Sequence, residues 1–290
     1  MRELVILSGK GGTGKTTVAA SFAHLAERKV MVDADVDAAN LELVLSPQVK
    51  EKHEFRGGKV AIIEPALCTA CERCAEVCRF QAVQQREGKY LIDPIACEGC
   101  AVCYYECPSE AIHLEEPVSG HWFISDTSYG PLVHAQLRPA QENSGKLVTI
   151  VKQEARQLAL AQGCDLIIVD GPPGIGCPVI ATTAGADLAL LVTEPTVAGV
   201  HDLERILSTV AHFGVPPLVC INKYDINPQV SQAIAEDCAA RDLPLIGSIP
   251  FDQAVTEAMV QGRSVVSYSR SPASQAIERL WKETKRFLDS

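Results

Sequence analysis

Apolar positions along the chain fall into short continuous runs separated by longer stretches of helical character. The continuous runs are Leu4-Val5-Ile6-Leu7, Val30-Met31-Val32, Leu166-Ile167-Ile168-Val169, Leu188-Ala189-Leu190-Leu191-Val192 and Leu218-Val219-Cys220-Ile221. Runs without polar alternation predict strands buried on both faces. Helix-like stretches follow them, from about Thr16 to Glu27 and from Asn143-Ser144-Gly145-Lys146 to about Gln162. Strands alternating with helices predict an α/β fold, a parallel sheet with helices on both faces. Ligands of such a sheet collect at the carboxyl ends of its strands. Gly120–Ser125 and Val133–Leu137 alternate instead, with turn residues 126–130 between them, and predict an antiparallel hairpin on that sheet. The stretch Ala276–Leu288 is amphipathic. It sets Ile277, Leu280, Trp281, Phe287 and Leu288 against Arg279, Lys282, Lys285 and Arg286. It predicts a last helix covering the sheet, so no membrane contact is expected. No apolar run reaches the length of a membrane span.

The first run meets Ser8-Gly9-Lys10-Gly11-Gly12-Thr13-Gly14-Lys15-Thr16-Thr17, which from Gly9 fits G-x4-G-K-[ST]. Strand, glycine loop and helix follow one another as this phosphate-binding motif requires. Residues Gly9 through Thr17 are therefore candidate nucleotide ligands. The glycines let backbone N–H groups converge on phosphates at the helix N-terminus. Lys15 is expected to reach the β- and γ-phosphates, and the Thr16 hydroxyl to ligate Mg2+. The strand Val30–Val32 leads into Asp33-Ala34-Asp35-Val36-Asp37, where Asp37 or Asn40 is expected to cap the next helix. The run 166–169 ends in Asp170-Gly171-Pro172-Pro173-Gly174.

Lys10, a second lysine near the start of the loop, gives the deviant form of the motif. With it the chain resembles the MinD/ParA-like ATPases, a group that includes the nitrogenase iron protein and the Mrp-type iron–sulfur carriers. The resemblance implies an ATP-dependent homodimer in which Lys10 reaches the partner subunit's nucleotide. It implies Mg-ATP as ligand and Mg-dependent ATP hydrolysis, with Lys10, Lys15 and Asp35 catalytic. Asp33–Asp37 with Asn40-Leu41 would be the first switch, in which Asp35 would orient the attacking water and Asp33 would lie near the metal shell, and Asp170 would hold Mg2+ through water. Gly171 and Gly174 would belong to the second switch and bring backbone N–H groups to the γ-phosphate. Asn222, in Asn222-Lys223, would recognise adenine, and Gly247–Asp252, Pro250 included, would follow the last strand and close over the base.

Charge and cysteine content change this picture. Lys and Arg number 26 against 36 Asp and Glu, a net charge of −10. That balance is poor for binding nucleic acid, which rests on clustered cations. Twelve cysteines, with Met1-Arg2-Glu3-Leu4 leading straight into the first run and no export signal, point to metal or redox chemistry in a cytoplasmic protein. Eight of them form two C-x2-C-x2-C-x3-C runs, Cys68, Cys71, Cys74, Cys78 and Cys97, Cys100, Cys103, Cys107, offset by 29 positions. The repeat extends outward: Ile62-Ile63-Glu64-Pro65 matches Leu91-Ile92-Asp93-Pro94, and Ala82-Val83 matches Ala111-Ile112. Each half reads as strand, ligand loop, short helix, strand.

This is the two-cluster bacterial ferredoxin spacing, in which the fourth cysteine of each run serves the other cluster. It assigns one [4Fe–4S] cluster to Cys68, Cys71, Cys74 and Cys107, and a second to Cys97, Cys100, Cys103 and Cys78. Arg79 stands where the pattern has proline, as Pro108 does after Cys107. Residues 58–117 thus resemble an eight-iron ferredoxin, a small α+β domain inserted between the two halves, 1–57 and 118–290, of the P-loop ATPase. This segment carries ten acidic and five basic residues, half of the net charge, and predicts a partner with a basic face. Of the other cysteines, Cys220 reads as core, Cys164 and Cys238 as helix-end or helix-face residues, and Cys177 as a candidate bridging-metal ligand beside the second switch. Two functions fit: an ATP-gated electron donor to a metalloenzyme, or an assembly factor for iron–sulfur or other metallocofactors. The rival is a positioning or scaffold ATPase whose clusters are structural.

Overall fold

The computed structural model of the chain describes residues 1–138 and 143–290. The chain divides into two compact units. The first comprises Met1–His53, Trp122–Gln136 and Ser144–Ser290, and the second Glu54–His121 with Leu137–Asn143. The expected range 118–290 includes residues 139–142, which lie outside the described residues. The segment 58–117 falls within the second unit.

The chain opens with β1 (Arg2–Ser8), α1 (Lys15–Leu25), β2 (Lys29–Asp33), α2 (Leu41–Leu45) and β3 (Gln48–Phe55). Short elements follow: β4 (Val60–Ile63), α3 (Arg73–Glu76), β5 (Val83–Arg86), β6 (Lys89–Ile92), α4 (Val102–Tyr105) and β7 (Ile112–Glu115). Next come β8 (Gly120–Thr127), β9 (Gly130–Leu137), α5 (Ser144–Gln162), β10 (Leu166–Pro173), α6 (Cys177–Thr183) and β11 (Leu188–Thr193). The chain ends with α7 (Val197–His212), β12 (Pro217–Asn222), α8 (Pro228–Ala240), β13 (Leu245–Ile249), α9 (Gln253–Val260), α10 (Val265–Tyr268) and α11 (Pro272–Asp289).

One nine-stranded sheet runs in the order β13-β12-β11-β1-β10-β2-β9-β8-β3. Every pairing from β13 to β9 is parallel. Leu4–Leu7 of β1, between two parallel neighbours, are fully buried. Continuous burial of this kind is why the strands read as unbroken apolar runs. β8 and β9, joined through residues 128–129, lie side by side as the expected hairpin. The apolar pattern does not predict β3, whose sequence QVKEKHEF is exposed and charged over most of its length. α11 covers the sheet as expected. Ile277, Leu280, Trp281 and Leu288 enter the core, with Trp281 4.8 Å from the Phe22 ring, while Phe287 stays exposed. Among the described residues no helix is long and apolar enough to cross a membrane.

A buried ionic cluster ties β1 to α5 and α6. Lys152 Nζ donates to the carbonyls of Ala181, Thr182 and Ala184 at the C-terminal end of α6, and pairs with Glu3 Oε1 at 2.8 Å. Arg156 closes on Glu3 Oε2 at 2.7 Å. Burial pulls the Lys152 pKa down, and the Glu3 carboxylate opposes that pull. Lys152→Met should therefore cost about 3 kcal/mol, because three carbonyls and a buried carboxylate lose their donor. Thermal melting of the first unit reads this as a drop of several degrees.

His134 makes a pH-dependent contribution. It is buried in β9, shares a 3.0 Å hydrogen bond between its Nε2 and Ser125 Oγ, and stacks on Phe123. Burial lowers its pKa to about 4. Glu42 Oε2 lies 3.5 Å from Nδ1 and would favour the charged ring, but that carboxylate is 39% exposed and burial dominates. A folded pKa below the unfolded value of about 6.5 gives stability that is complete above pH 6.5 and is lost as pH falls towards 4. The loss should reach up to about 3 kcal/mol. Denaturant melts across this window should show it in the wild type and not in His134→Gln.

Candidate nucleotide-binding site and two cysteine-lined cavities

The glycine loop leaves the carboxyl end of β1 and turns into α1. Gly14, the residue before the helix, is left-handed at φ 94°, and a Cβ there would strike the Asn222 amide. A Cβ on Gly9 would meet the backbone of Asp202. Glycine at both positions therefore lets the loop lie against β12 and α7. The first turn of α1 has no side-chain cap and no acidic residue, so its N–H groups are available to an anion. Lys15 is buried at the start of this helix.

Two carboxylates, Asp170 and Asp35, feel the charge of Lys15, and a third, Asp33, lies beside them. Asp170 ends the core of β10, and Asp33 sits opposite it in register on β2. Burial lifts the Asp170 pKa to about 6; Lys15 and a hydrogen bond from the Thr16 hydroxyl pull it down, and Asp35 adds to the rise. Its Oδ1 is buried without a hydrogen-bond partner. A buried carboxylate oxygen without a partner, beside a threonine hydroxyl and a phosphate-loop lysine, suits a hydrated Mg2+ on a triphosphate. Asp35 is half-buried; burial raises its pKa and Lys15 opposes.

Several expected roles differ from what the contacts show. Asp33 is fully buried and accepts from the backbone N–H of Asp35 (3.1 Å) and of Leu41 (3.0 Å). It therefore holds the segment from Asp33 to Leu41 and caps α2. Asp37 or Asn40 is the expected cap, but the Asn40 side chain donates to Ala38 O and Asp37 is exposed. β10 continues through Pro173, so Gly171 lies inside a strand, where a Cβ would press on Leu7. The Gly174 N–H donates to Ser8 O at 3.0 Å and is not free for a phosphate. Gly247, Ser248 and Ile249 belong to β13, so only residues from Pro250 onward follow the last strand. Pro250 lies beside the end of β12, where Phe251 N–H donates to Asp225 Oδ1 at 2.7 Å. The Asn222 amide donates to Thr13 O at 2.7 Å and accepts from Lys223 N, bracing the phosphate loop.

Lys10 is held within its own chain. Its Nζ lies 2.5 Å from Glu194 Oε1, and Lys223 approaches the same carboxylate at 3.4 Å while donating to Gly12 O at 3.2 Å. Burial raises the Glu194 pKa, but the two lysines outweigh it and leave the carboxyl below its ordinary range. Glu194 is the site residue that motif reading misses. Its only signal was its place at the carboxyl end of a buried strand.

In the second unit, four thiols line each of two cavities. Cys68, Cys71, Cys74 and Cys107 line one, and Cys97, Cys100, Cys103 and Cys78 line the other. Each cavity takes three cysteines from one run and the last cysteine of the other. The pairing of strands accounts for this: β4 pairs with β7 and β5 with β6, both antiparallel, so the first strand of each half joins the last strand of the other. The loops share their strain. Ala70 and Gly99, Glu72 and Ala101, and Gln81 and Glu110 are all left-handed and lie at the same 29-residue offset. Five of these six are not glycine, and strain of this kind collects at functional sites. Burial raises the thiol pKa of Cys74, and that of Cys103 to about 11, with neighbouring sulfurs adding to both. Cys107 goes the other way. Burial would raise it, but donors from Ser109 and from the Ala111 and Ile112 N–H groups win. Among the described residues no three His, Cys, Asp or Glu side chains lie close enough to hold a single metal ion. A four-iron cubane, with an iron and sulfide core between its thiolates, needs them farther apart than one zinc ion would. Cys220 and Cys238 are buried packing residues, Cys164 follows α5, and Cys177 is exposed at the start of α6.

The sheet order, the glycine loop and the aspartate at the end of β10 define a P-loop nucleotide-binding protein. A sequence model of the CobQ/CobB/MinD/ParA nucleotide binding domain matches residues 4–265, and the chain belongs to this family. It is 32% identical over 289 residues, 99% of this chain and 97% of the other, to protein MJ0578 of Methanocaldococcus jannaschii. It is 25% identical to a putative septum site-determining protein MinD of Guillardia theta, covering 91% of this chain and 81% of the other. The structure of septum site-determining protein MinD from Pyrococcus horikoshii complexed with Mg-ADP superposes with a TM-score of 0.59. That match has 20% identity and covers 98% of this chain and 96% of the other, a likeness of fold.

Proposed function

We propose that this chain is an ATP-hydrolysing iron–sulfur protein that dimerises around two Mg-ATP molecules and couples its nucleotide state to two [4Fe–4S] clusters. The observation that carries the proposal is the crossed lining of the two cavities, four cysteines to each. Cys68, Cys71, Cys74 and Cys107 would hold one cluster, and Cys97, Cys100, Cys103 and Cys78 the other. When bound, the clusters supply one-electron storage. In the ATPase domain, formed by 1–57 and 118–290, the loop residues Gly9 to Thr17 bind the phosphates. Lys15 neutralises the developing charge, and Thr16 and Asp170 hold Mg2+. Asp35 orients water. Gly171 and Gly174 shape the second switch, and Asn222 and Pro250 border the base, Asn222 while bracing the loop. The chain enters the ferredoxin-like domain 58–117 after the first switch, which is how nucleotide state would reach it.

Anaerobic purification followed by iron and sulfide analysis tests this reading. About eight iron atoms per chain, with a visible spectrum bleached by dithionite, is expected. An iron-free protein after anaerobic reconstitution would sink it. Cluster lability separates the two jobs: an electron donor to a metalloenzyme with a basic face keeps its iron through reduction cycles, and an assembly factor loses it to an apo-acceptor. A second reading, a positioning or scaffold ATPase with structural clusters, is supported by the septum site-determining name of a relative. Clusters that bind but resist reduction would favour it.

The Lys10–Glu194 pair bears on dimerisation. If Lys10 serves the partner subunit's nucleotide, it must first leave Glu194. A partly exposed pair of this kind is worth about 0.5–1 kcal/mol. With one such pair broken in each subunit, Glu194→Gln should then tighten the ATP-dependent dimer roughly five- to thirtyfold, measured by sedimentation with a non-hydrolysable ATP analogue.

A further inference from the structure

The two cysteine-lined cavities come from a sequence repeat, yet their walls differ at matched positions. Ser109 Oγ lies 3.6 Å from the Cys107 sulfur, which also accepts the Ala111 N–H at 3.3 Å. The equivalent of Ser109 beside Cys78 is Phe80, which lines the second cavity and has no side-chain donor. Among the described residues no hydrogen bond reaches the Cys78 sulfur. Tyr90, lining the first cavity, is matched by Ala61 in the second. Arg73, in the first cavity wall and 2.7 Å from Glu106, is matched by Val102. Thr69 in the first wall is matched by Glu98 in the second, which exchanges a neutral donor for a negative charge.

The donors at Cys107 and the Thr69–Glu98 exchange act in one direction, while Glu72 in the first wall, matched by Ala101, and Arg79 over the Phe80 ring, matched by Pro108, act in the other at greater remove from the sulfurs' own hydrogen bonds. Donors to a thiolate sulfur, and positive charge nearby, stabilise the extra electron of a reduced cluster, whereas apolar walls and negative charge disfavour it. We propose that the two sites have unequal reduction potentials, with the site of Cys68, Cys71, Cys74 and Cys107 the higher, and that Ser109 and Phe80 are principal tuning residues. This rests on the iron–sulfur reading above. One electron from an external low-potential one-electron donor then rests at the first site, which is reduced while the donor is oxidised. The second site stays oxidised until a stronger donor is supplied. No bond forms or breaks and no proton moves. The pair has a direction: an electron entering at the Cys97, Cys100, Cys103, Cys78 site runs downhill to the other.

The test is an anaerobic redox titration of the full-length, iron-loaded protein, followed by electron paramagnetic resonance, with iron counted in every variant. Two separate one-electron waves are expected. Ser109→Ala should lower the upper wave and leave the lower in place. Phe80→Ser should raise the lower wave and leave the upper in place, bringing the two together. A single unresolved wave in the wild type would overturn the proposal, as would a Ser109→Ala variant with full iron in which the lower wave moves or neither does. A chain that takes up no iron overturns the iron–sulfur reading itself, and the asymmetry with it, so the two failures are told apart by the iron count.

Discussion

Lys15→Ala should lower ATP turnover by about 10²–10³-fold and leave the iron content per chain unchanged. The size follows from the position of this ammonium. It is buried at the first turn of α1, and it is the cation that acts on both Asp170 and Asp35. A fixed charge aimed at the transferring phosphoryl group in a water-poor site is typically worth 10²–10³ in kcat. Removing it also leaves the buried carboxylates without their counter-charge, so Mg2+ and nucleotide binding weaken together. Iron should be retained because the eight thiols belong to a different compact unit with its own small core. Parallel assays of phosphate release and iron content check both halves. Turnover within tenfold of the wild type would place the chemistry elsewhere, and loss of iron would show that the two units do not fold separately.

What the sequence disclosed, and what it hid, divides along physical lines. Strands buried on both faces announce themselves as unbroken apolar runs, and β1, β2, β10, β11 and β12 were all legible for that reason. β3 was not, because its side chains are charged and exposed, so no burial constraint marks it. The glycine loop was legible because its conformation needs glycine at fixed spacing, and Gly14 at φ 94° shows the need. The crossed thiol lining was legible through the likeness of the spacing to a two-cluster ferredoxin, but the fourth cysteine of each run, expected to start a short helix, instead follows the helix that carries the third. Roles that depend on which hydrogen bond wins were less legible. Asp33 and Asn40 compete to cap α2, and the buried aspartate wins because its two oxygens must be satisfied by N–H groups. Gly174 resembles a phosphate-facing glycine, yet its N–H is taken by Ser8 O. The Lys10–Glu194–Lys223 cluster brings together residues far apart in sequence, and no local pattern foretells it.

Cys78→Ala should remove about half of the iron, and the site it empties should be the one whose other three cysteines lie in the second run. The strand pairings β4 with β7 and β5 with β6 bring the end of each half against the start of the other, and Cys78 accordingly lines the cavity of Cys97, Cys100 and Cys103. Cys107→Ala should empty the opposite site. Thiol alkylation read by mass spectrometry separates this arrangement from an uncrossed one. In iron-loaded Cys78→Ala, Cys97, Cys100 and Cys103 should become reactive while Cys68, Cys71, Cys74 and Cys107 stay protected. Reactivity at Cys68, Cys71 and Cys74 instead would mean that each run holds its own cluster. Cys220, fully buried in β12, serves as the unreactive control within the native fold. The second unit should also lose stability well beyond a single thiol. The apolar cluster around its cysteines is small, Ala61, Ile63, Tyr90 and Ile112 packed with Cys74 and Cys103. A core of that size cannot offset the chain entropy of about sixty residues without metal cross-links. Limited proteolysis should therefore cut the cysteine-bearing segment in Cys78→Ala before it cuts the nucleotide-binding unit, and in the iron-loaded wild type should spare both.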